Sequence, residues 1–298
     1  MTLAIFEKTQ TAERVQRGRT AAGGGRAAGR CTLGCMMRNR VFSALMLAAA
    51  GAWTAAAGAQ QQTPLPQPEA TEIWQPVPAV VIPGETAGAP PSDAIALFDG
   101  KNEDEWVSAQ DHTPARWTVA DGLLTVAKNT GNIETRRHFH DYQLHIEWRI
   151  PADIAGSGQG RGNSGVFLAS TGPGDAGYEL QVLDGYKNPT YVNGMVGSIY
   201  KQSIPLVNAA RRPGEWQTYD VVWRTPRFNA DGSLKTPAYV TVFLNGVLVE
   251  DHFQLKGQTL YRGQPFYQAF DGAAIKLQAH GDKSAPISFR NIWVRELP

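Results

Sequence analysis

A single carboxylate on one face of a predicted strand is the clearest sign of chemistry in this sequence. In residues 178–183 apolar side chains alternate with Glu179 and Gln181, and this period of two is typical of a strand with two different faces. Glu179 is the only carboxylate in that phase, whereas a standard glycosidase needs two. The spacing therefore favours chemistry that uses one base. The competing interpretation is a solvated strand face.

A second predicted strand, residues 275–280, carries Gln278 and His280 on one face. A histidine there could protonate a leaving oxygen, because it exchanges protons near neutral pH; otherwise it only hydrogen-bonds at the strand end. Arg290 alternates in phase with Ser288 and could donate to an oxygen that gains negative charge. The alternative for Arg290 is a structural ion pair with Glu179 or Glu147.

Three further features are weaker signs of a functional site. Glu147 lies in a polar stripe of residues 142–150 and could share a cleft with Glu179 if the two strands are neighbours; the stripe is otherwise a solvated sheet face. Asn163 follows the glycine-rich stretch 156–162, which we interpret as a lid over a ligand. His138 and His140 have the spacing of two metal ligands, but no third ligand is evident, so we expect no metal site there.

The elements that must position these residues are strands. Asn245-Gly246 and Asp121-Gly122 each separate two alternating stretches, as in hairpins with type I′ turns. Other strands are predicted at residues 142–150, 178–183, 216–223, 275–280 and 287–294. No long stretch has a helical period. We predict one all-β domain over residues 93–298, folded as a two-sheet antiparallel sandwich with the ligand cleft on a central strand of its concave sheet.

Residues 1–59 predict a leader that is removed. A basic stretch ending at residue 40 precedes an uncharged segment, and Ala57-Gly58-Ala59 matches a signal-peptidase site, so residues 36–59 read as a signal peptide. A start at Met36 or Met37 is compatible with this interpretation, with residues 1–35 as an over-extended gene start, and the sequence leaves the true start open. The apolar part is too short and alanine-rich for a stable membrane span. We expect a secreted, periplasmic protein cleaved near Ala59.

Removal of the leader would change the composition and charge of the remaining chain. It holds both cysteines, eight of the 28 Lys+Arg and two of the 27 Asp+Glu, so the rest has a net charge of −5. A mildly acidic, cysteine-free chain excludes thiol chemistry and argues against a nucleic-acid partner. Residues 60–92 hold eight of the 19 prolines and predict an extended linker, part of which docks near Trp74.

Eight short motifs occur in the order of one known family. They are Leu97-Phe98-Asp99-Gly100-Lys101 with Trp106, Arg161-Gly162-Asn163-Ser164-Gly165-Val166, residues 178–184, Gly197-Ser198-Ile199-Tyr200, Pro213-Gly214-Glu215-Trp216, Leu244-Asn245-Gly246, Leu277-Gln278-Ala279-His280-Gly281 and Phe289-Arg290-Asn291-Ile292. Together they resemble the 3-keto-disaccharide hydrolase family. The chain departs from it at Ala279, where the family commonly has Asp, which puts any role of that carboxylate in doubt here.

The resemblance implies a concanavalin A-like jelly-roll sandwich that cleaves glycosides oxidised to a ketone at C3. A ketone acidifies the C2 hydrogen, so one base can remove it, the C1 substituent leaves, and water adds. We expect Glu179 as that base, with His280 and Arg290 as further catalytic residues. The expected substrate-binding residues are Gln181, Asn163, Glu147, Asp184, Tyr200 and Gln278.

Two other functions stay open on the sequence: a non-catalytic carbohydrate-binding module and an ordinary glycoside hydrolase. A cell-surface interaction protein, with the proline-rich segment as a spacer, is a third. The expected partner is an oligosaccharide or another glycoside. The residues call for no cofactor and leave a divalent metal, the aglycone, the linkage and the oligomeric state open.

Overall fold

A computed structural model describes residue 65 and residues 67–298. The chain divides into two compact units, Met1–Glu72 and Ile73–Pro298. The predicted signal segment and both cysteines lie outside the described residues, so cleavage and secretion stay predictions. In the first unit the described part forms a short 3-10 helix, Pro68–Thr71. No helix in the described part of the chain is long and apolar enough to cross a membrane.

The second unit is built from short strands, as the period-two patterns predict. Its strands are β1 Ile95–Phe98, β2 Trp106–Ser108, β3 Thr118–Ala120, β4 Leu123–Thr125, β5 Ile133–Thr135, β6 Tyr142–Arg149, β7 Ser164–Ser170, β8 Gly177–Val182, β9 Gln217–Arg224, β10 Arg227–Phe228, β11 Leu234–Thr236, β12 Tyr239–Leu244, β13 Val247–Gln254, β14 Lys276–Leu277 and β15 Ser288–Glu296. Three 3-10 turns accompany them, Lys128–Thr130, Gly158–Gly160 and Val192–Gly194.

Two antiparallel sheets pack face to face. The larger has the order β13-β12-β9-β6-β15-β4-β3, with β1 also paired to β15, and the smaller has the order β2-β5-β14-β7-β8. Large side chains from both sheets meet between them, as where the Tyr178 ring lies 5.6 Å from the Trp223 ring. The predicted two-sheet antiparallel sandwich is confirmed.

Both predicted hairpins form. Asn245 and Gly246 have φ values of 54° and 80°, and Asp121 and Gly122 have 52° and 74°. Positive φ at both central positions is what a type I′ turn requires, and it matches the twist of the flanking strands.

The strand that carries Glu179 lies at an edge and not at the centre of its sheet, which corrects the expectation. The outer edge of β8 is covered by a loop segment: the Gln181 N–H donates to the Ser198 carbonyl at 2.9 Å, and the Tyr200 N–H donates to the Glu179 carbonyl at 3.0 Å. These bonds satisfy backbone groups that a bare edge would leave open.

The strand expected over residues 275–280 is regular only at β14. The Gln278 N–H still donates to the Gly165 carbonyl at 3.0 Å, but the Ala279 N–H bonds to the Asn132 side chain at 2.8 Å. A side chain therefore takes the place of the next ladder bond, and the chain bends away.

Part of the proline-rich segment lies on the outer face of the larger sheet. The Gly88 carbonyl accepts hydrogen bonds from Asn291 Nδ2 at 2.8 Å and from the Trp293 ring nitrogen at 2.9 Å. Ile82 and Ser92 are joined by two further bonds. Docking of this segment was expected, and Gly88 accepts two of the hydrogen bonds that hold it; the Trp74 side chain is 78% exposed.

Candidate active site

A cavity of about 700 Å³ opens on the outer face of the smaller sheet. Its floor comes from β8 and the chain after β14, and its walls come from loops. The lining residues are Gln159, Gly160, Asn163, Asp175, Glu179, Gln181, Tyr191, Tyr200, Lys201, Thr259, Tyr261, Gln278, His280 and Asp282. The alternation along β8 sends Tyr178 and Leu180 into the core, so Glu179 and Gln181 face this cavity.

Glu179 is a buried carboxyl group without a compensating cation. Glu179 is 5% exposed, and its carboxylate has no hydrogen-bond or ion-pair partner within the described residues. Burial, with a smaller contribution from the negative charge of Asp175, raises its pKa to about 8. A carboxylate of that basicity is a far stronger proton acceptor than an exposed one.

Gly165 on β7 leaves the space that Glu179 occupies. A Cβ atom at position 165 would lie 2.5 Å from Glu179 Oε1 and 3.0 Å from its Cγ. No side chain fits there unless the carboxyl group moves. The glycine is needed for close approach and not for its backbone conformation.

Three amide side chains supply hydrogen-bonding groups beside Glu179. Gln181 Nε2 donates to Asn163 Oδ1 at 3.0 Å. The Oε1 atoms of Gln181 and Gln278 are buried and accept no hydrogen bond from the described residues. Since an unsatisfied buried acceptor is costly, these oxygens are suited to accept the hydroxyl groups of a bound sugar.

His280 forms a hydrogen-bonded pair with Asp282 at the cavity wall. His280 Nδ1 lies 2.8 Å from Asp282 Oδ2. Asp282 is in turn held by Lys128 Nζ at 3.1 Å and by the Ser284 N–H at 2.7 Å. Although burial alone would raise the pKa of Asp282, the bonds from Ser284 and His280 and the nearby Lys128 hold it below its usual value.

Asn163 faces the second ring nitrogen of His280. Asn163 Nδ2 donates to the Gln159 carbonyl at 2.9 Å, which fixes the orientation of the amide, and the same nitrogen lies 3.4 Å from His280 Nε2. His280 Nε2 therefore faces a donor and carries a lone pair. The role of His280 as a proton donor, expected from the sequence, stays a prediction.

Exposed tyrosines form one rim of the cavity. Tyr261 and Tyr191 are 68% and 41% exposed, and the Tyr191 hydroxyl lies 2.5 Å from that of Tyr200. Lys201 Nζ lies 4.2 Å from the centre of the Tyr261 ring and donates to the Tyr261 carbonyl at 2.6 Å. This rim offers flat ring faces to a ligand.

The buried Lys276 anchors the loop that carries Asp175. Its Nζ donates to the carbonyls of Gly172, Gly174 and Ala176 at 2.5, 3.1 and 2.9 Å. Asn132 Nδ2 also binds Asp175 Oδ1 at 3.0 Å. Burial lowers the pKa of Lys276 to about 8. Lys276 and Asn132 thus fix the position of Asp175, the carboxylate that helps to raise the pKa of Glu179.

The glycine-rich stretch expected to be a lid forms the opposite rim. Asn188 bonds to both backbone groups of Gly158, at 2.6 and 3.0 Å. Gln159 Nε2 donates to the Gly194 carbonyl at 2.7 Å. These bonds join the stretch to the loop after β8.

Arg290 and Glu147 are not brought to the cavity, which corrects their expected place beside Glu179. β6 pairs with β9 and β15 in the larger sheet, and Glu147 lies on the outer face of that sheet, across the core from Glu179. Arg290 Nε donates to Glu147 Oε2 at 2.6 Å, and Arg290 Cζ lies 4.0 Å from the centre of the Trp216 ring. The structural ion pair, the alternative interpretation of Arg290, is present.

Asp184 also lies outside the lining of the cavity. Its carboxylate contacts Arg161 Nε at 2.7 Å and accepts the Tyr186 N–H at 2.9 Å. These contacts hold the chain that leaves β8, so Asp184 supports the loop and does not face the cavity.

No group of three or more metal-ligating side chains converges within the part of the chain that the structure describes. His140 lies 3.0 Å from Asp271, and the neighbouring Asp141 is occupied by Arg224 and Arg227 at 3.0 and 3.2 Å.

The structure gathers Glu179, Gln181, Asn163, Gln278, His280 and Tyr200 around one cavity, as expected. It adds residues that sequence reasoning missed or left unassigned: Asp175, Tyr191, Lys201, Thr259, Tyr261 and Asp282. Most of these lie in loops, where no periodic pattern marks them. The spacing His280-x-Asp282 was the one available signal.

Residues 93–295 match the family described as a 3-keto-alpha-glucoside-1,2-lyase-like domain. A solved structure of a candidate glycosyl hydrolase from Parabacteroides distasonis ATCC 8503 is 50% identical, with a TM-score of 0.72 over 78% of this chain and 97% of that chain. A second candidate glycosyl hydrolase from that organism is 22% identical, with a TM-score of 0.52 over 69% of this chain and 94% of that chain, and shows the shared fold. A search of curated proteins returned no match.

Proposed function

Because this chain belongs to the 3-keto-alpha-glucoside-1,2-lyase-like domain family, we propose that it cleaves glycosides whose sugar carries a ketone at C3. The observation that carries the proposal is the environment of Glu179. Its carboxyl group is buried, has no cation beside it, and faces a cavity lined with amide oxygens that can accept hydrogen bonds from sugar hydroxyl groups. A base of raised pKa suits removal of a C–H proton next to a carbonyl group. A carbohydrate-active role follows from the family itself.

In this proposal Glu179 acts on the C2 hydrogen. The ionised carboxylate takes the proton from C2, and the electrons form an enolate with the C3 ketone. The enolate expels the C1 substituent and leaves a C1=C2 double bond. Glu179 hands its proton to the departing oxygen, so one group acts as base and then as acid. Gln181 and Gln278 hold sugar hydroxyls while this happens.

Comparison of oxidised and unoxidised substrates tests the proposal. We expect the purified protein to cleave a 3-keto-disaccharide and to leave the parent disaccharide intact, with product release measured by chromatography. Cleavage of both would favour an ordinary glycoside hydrolase. Cleavage of neither, with and without added divalent metal, combined with measurable binding, would favour a carbohydrate-binding module.

The tyrosine rim predicts a preference in the leaving group. Replacing Tyr261 with Ala should raise KM about fivefold for a 3-keto-glycoside with a ring as leaving group, because a stacking face worth roughly 1 kcal/mol is lost. The KM for the corresponding methyl glycoside should not change. The half-buried Tyr239, which lies outside the cavity, serves as the control position, as Tyr239→Ala. Equal effects of Tyr261→Ala on both substrates would contradict a role for the rim in holding the leaving group.

A further inference from the structure

We propose that His280 and Asp282 activate the water that adds to the unsaturated sugar left by elimination. This inference rests on the proposed function and divides it into two half-reactions, each with its own base. Glu179 removes the C2 proton in the elimination. The histidine–aspartate pair removes the water proton in the hydration, during which Glu179 gives a proton to C2. The roles of His280 and Asp282 in the hydration are inferred from their hydrogen bonds.

The protonation of the His280 ring follows from its neighbours. Asp282 accepts from Lys128, from the Ser284 N–H and from the Ser284 hydroxyl, so it is an ionised acceptor. Its contact of 2.8 Å with His280 Nδ1 then requires a proton on Nδ1. The Asp282 N–H also approaches Nδ1, at 3.2 Å, but this longer contact does not remove that requirement.

The other ring nitrogen is left as a proton acceptor. Asn163 Nδ2 is committed to the Gln159 carbonyl and can present only N–H groups to His280 Nε2. The Asn163 oxygen is meanwhile occupied by Gln181. A lone pair on Nε2 at the cavity wall, backed by a carboxylate on Nδ1, is the arrangement of a general base.

Glu179 and His280 both line the cavity, so they can reach one bound sugar. The His280 side chain is 32% exposed, which gives water access to it, whereas Glu179 is almost fully buried. The accessible group is thus suited to deprotonate water, and the buried group to exchange a proton with C2.

The second half-reaction balances as follows. The water oxygen bonds to C1, one water proton moves to His280 Nε2, and the electrons of the double bond pass into the enolate. C2 then receives a proton from Glu179, which has taken one up from solvent since the first step. His280 returns its proton to solvent. The net change is the addition of one water molecule across C1 and C2.

Separate measurement of the two steps tests the proposal. A 4-nitrophenyl 3-keto-α-glucoside reports leaving-group release, and the unsaturated keto sugar, supplied directly, reports hydration through loss of its enone absorbance. In His280→Gln we expect hydration to slow about 100-fold and to fall far more than release, so that the enone accumulates. In Asp282→Asn, kcat for hydration should fall while KM stays unchanged, as expected of a positioning residue.

Chemical rescue separates catalysis from folding. Imidazole added to His280→Ala should restore hydration and leave release unaffected. If His280→Gln slows release as much as hydration, or if the supplied enone is hydrated at the wild-type rate, the assignment is overturned while the proposed function stands. If the wild-type protein releases no leaving group from any 3-keto-glycoside, the proposed function fails and this inference fails with it.

Discussion

Glu179→Gln is expected to lower the rate of leaving-group release by about 10³-fold, since a positioned general base contributes roughly 10²–10⁴-fold and glutamine cannot accept the C2 proton. KM should change little, because the amide keeps the shape of the side chain. The matched control is Glu147→Gln, whose carboxylate lies on the outer face of the other sheet. It should retain wild-type kinetics.

The pH dependence of the wild-type protein follows from the same residue. Since the proton acceptor must be ionised and its pKa is about 8, kcat/KM for release should rise with pH up to about 8 and then level off. A profile that falls through pH 8 would show that Glu179 donates a proton in the first irreversible step. A Glu179→Gln variant with wild-type activity would remove it from the mechanism.

The free energy of unfolding should fall as pH rises, in the direction opposite to kcat/KM. The pKa of Glu179 is higher in the folded protein than in the unfolded chain, so the folded state binds more protons between about pH 4.5 and 8 and loses stability as pH rises through that range. Glu179→Gln removes this penalty. Its Tm should exceed that of the wild-type protein at pH 9, with a smaller difference at pH 5.

Gly165→Ala should be the second most damaging change, although it adds one methyl group. The new Cβ would lie 2.5 Å from Glu179 Oε1, so the carboxylate must move. Displacement of a catalytic group by about 1 Å can cost roughly 10²-fold in rate, and we expect a loss of that size in kcat. The Tm should change by only a few degrees, because the group that yields is the end of a side chain.

Gly281→Ala is the control for this prediction. Position 281 also lies close to the cavity, but a Cβ there meets no atom within 4 Å. It should retain near-wild-type activity. Equal activity of Gly165→Ala and Gly281→Ala would show that the position of Glu179 tolerates displacement or that Glu179 is not the base.

The local structure was predictable where a short pattern specifies it. The alternation around Glu179 gave its strand and its outward face, and Asn245-Gly246 gave a hairpin turn. Strand order was not predictable, because it depends on pairing between residues far apart in the chain. Glu147 shows this: its alternation is as clear as that of Glu179, yet its strand belongs to the other sheet.

The residues of the candidate site were likewise predictable on strands and not in loops. Gln181 and Gln278 follow strand periodicity and were expected at the cavity. Asp175 and Tyr261 come from loops whose course is set by tertiary contacts, such as the anchoring of the first loop by Lys276. A loop residue carries no phase that would reveal which way its side chain points.

The backbone bonds that cover the outer edge of β8 have a consequence for how substrate range can change. They hold Glu179 and Tyr200 in one hydrogen-bonded strip, whereas the exposed residues between the paired segments, such as Tyr191 and Val192, are not part of it. Those exposed positions can change without moving the proton-transfer group, provided that the buried Asn188 and Val196 are kept. Grafting the equivalent exposed residues from a relative is therefore a route to new leaving-group specificity on unchanged chemistry.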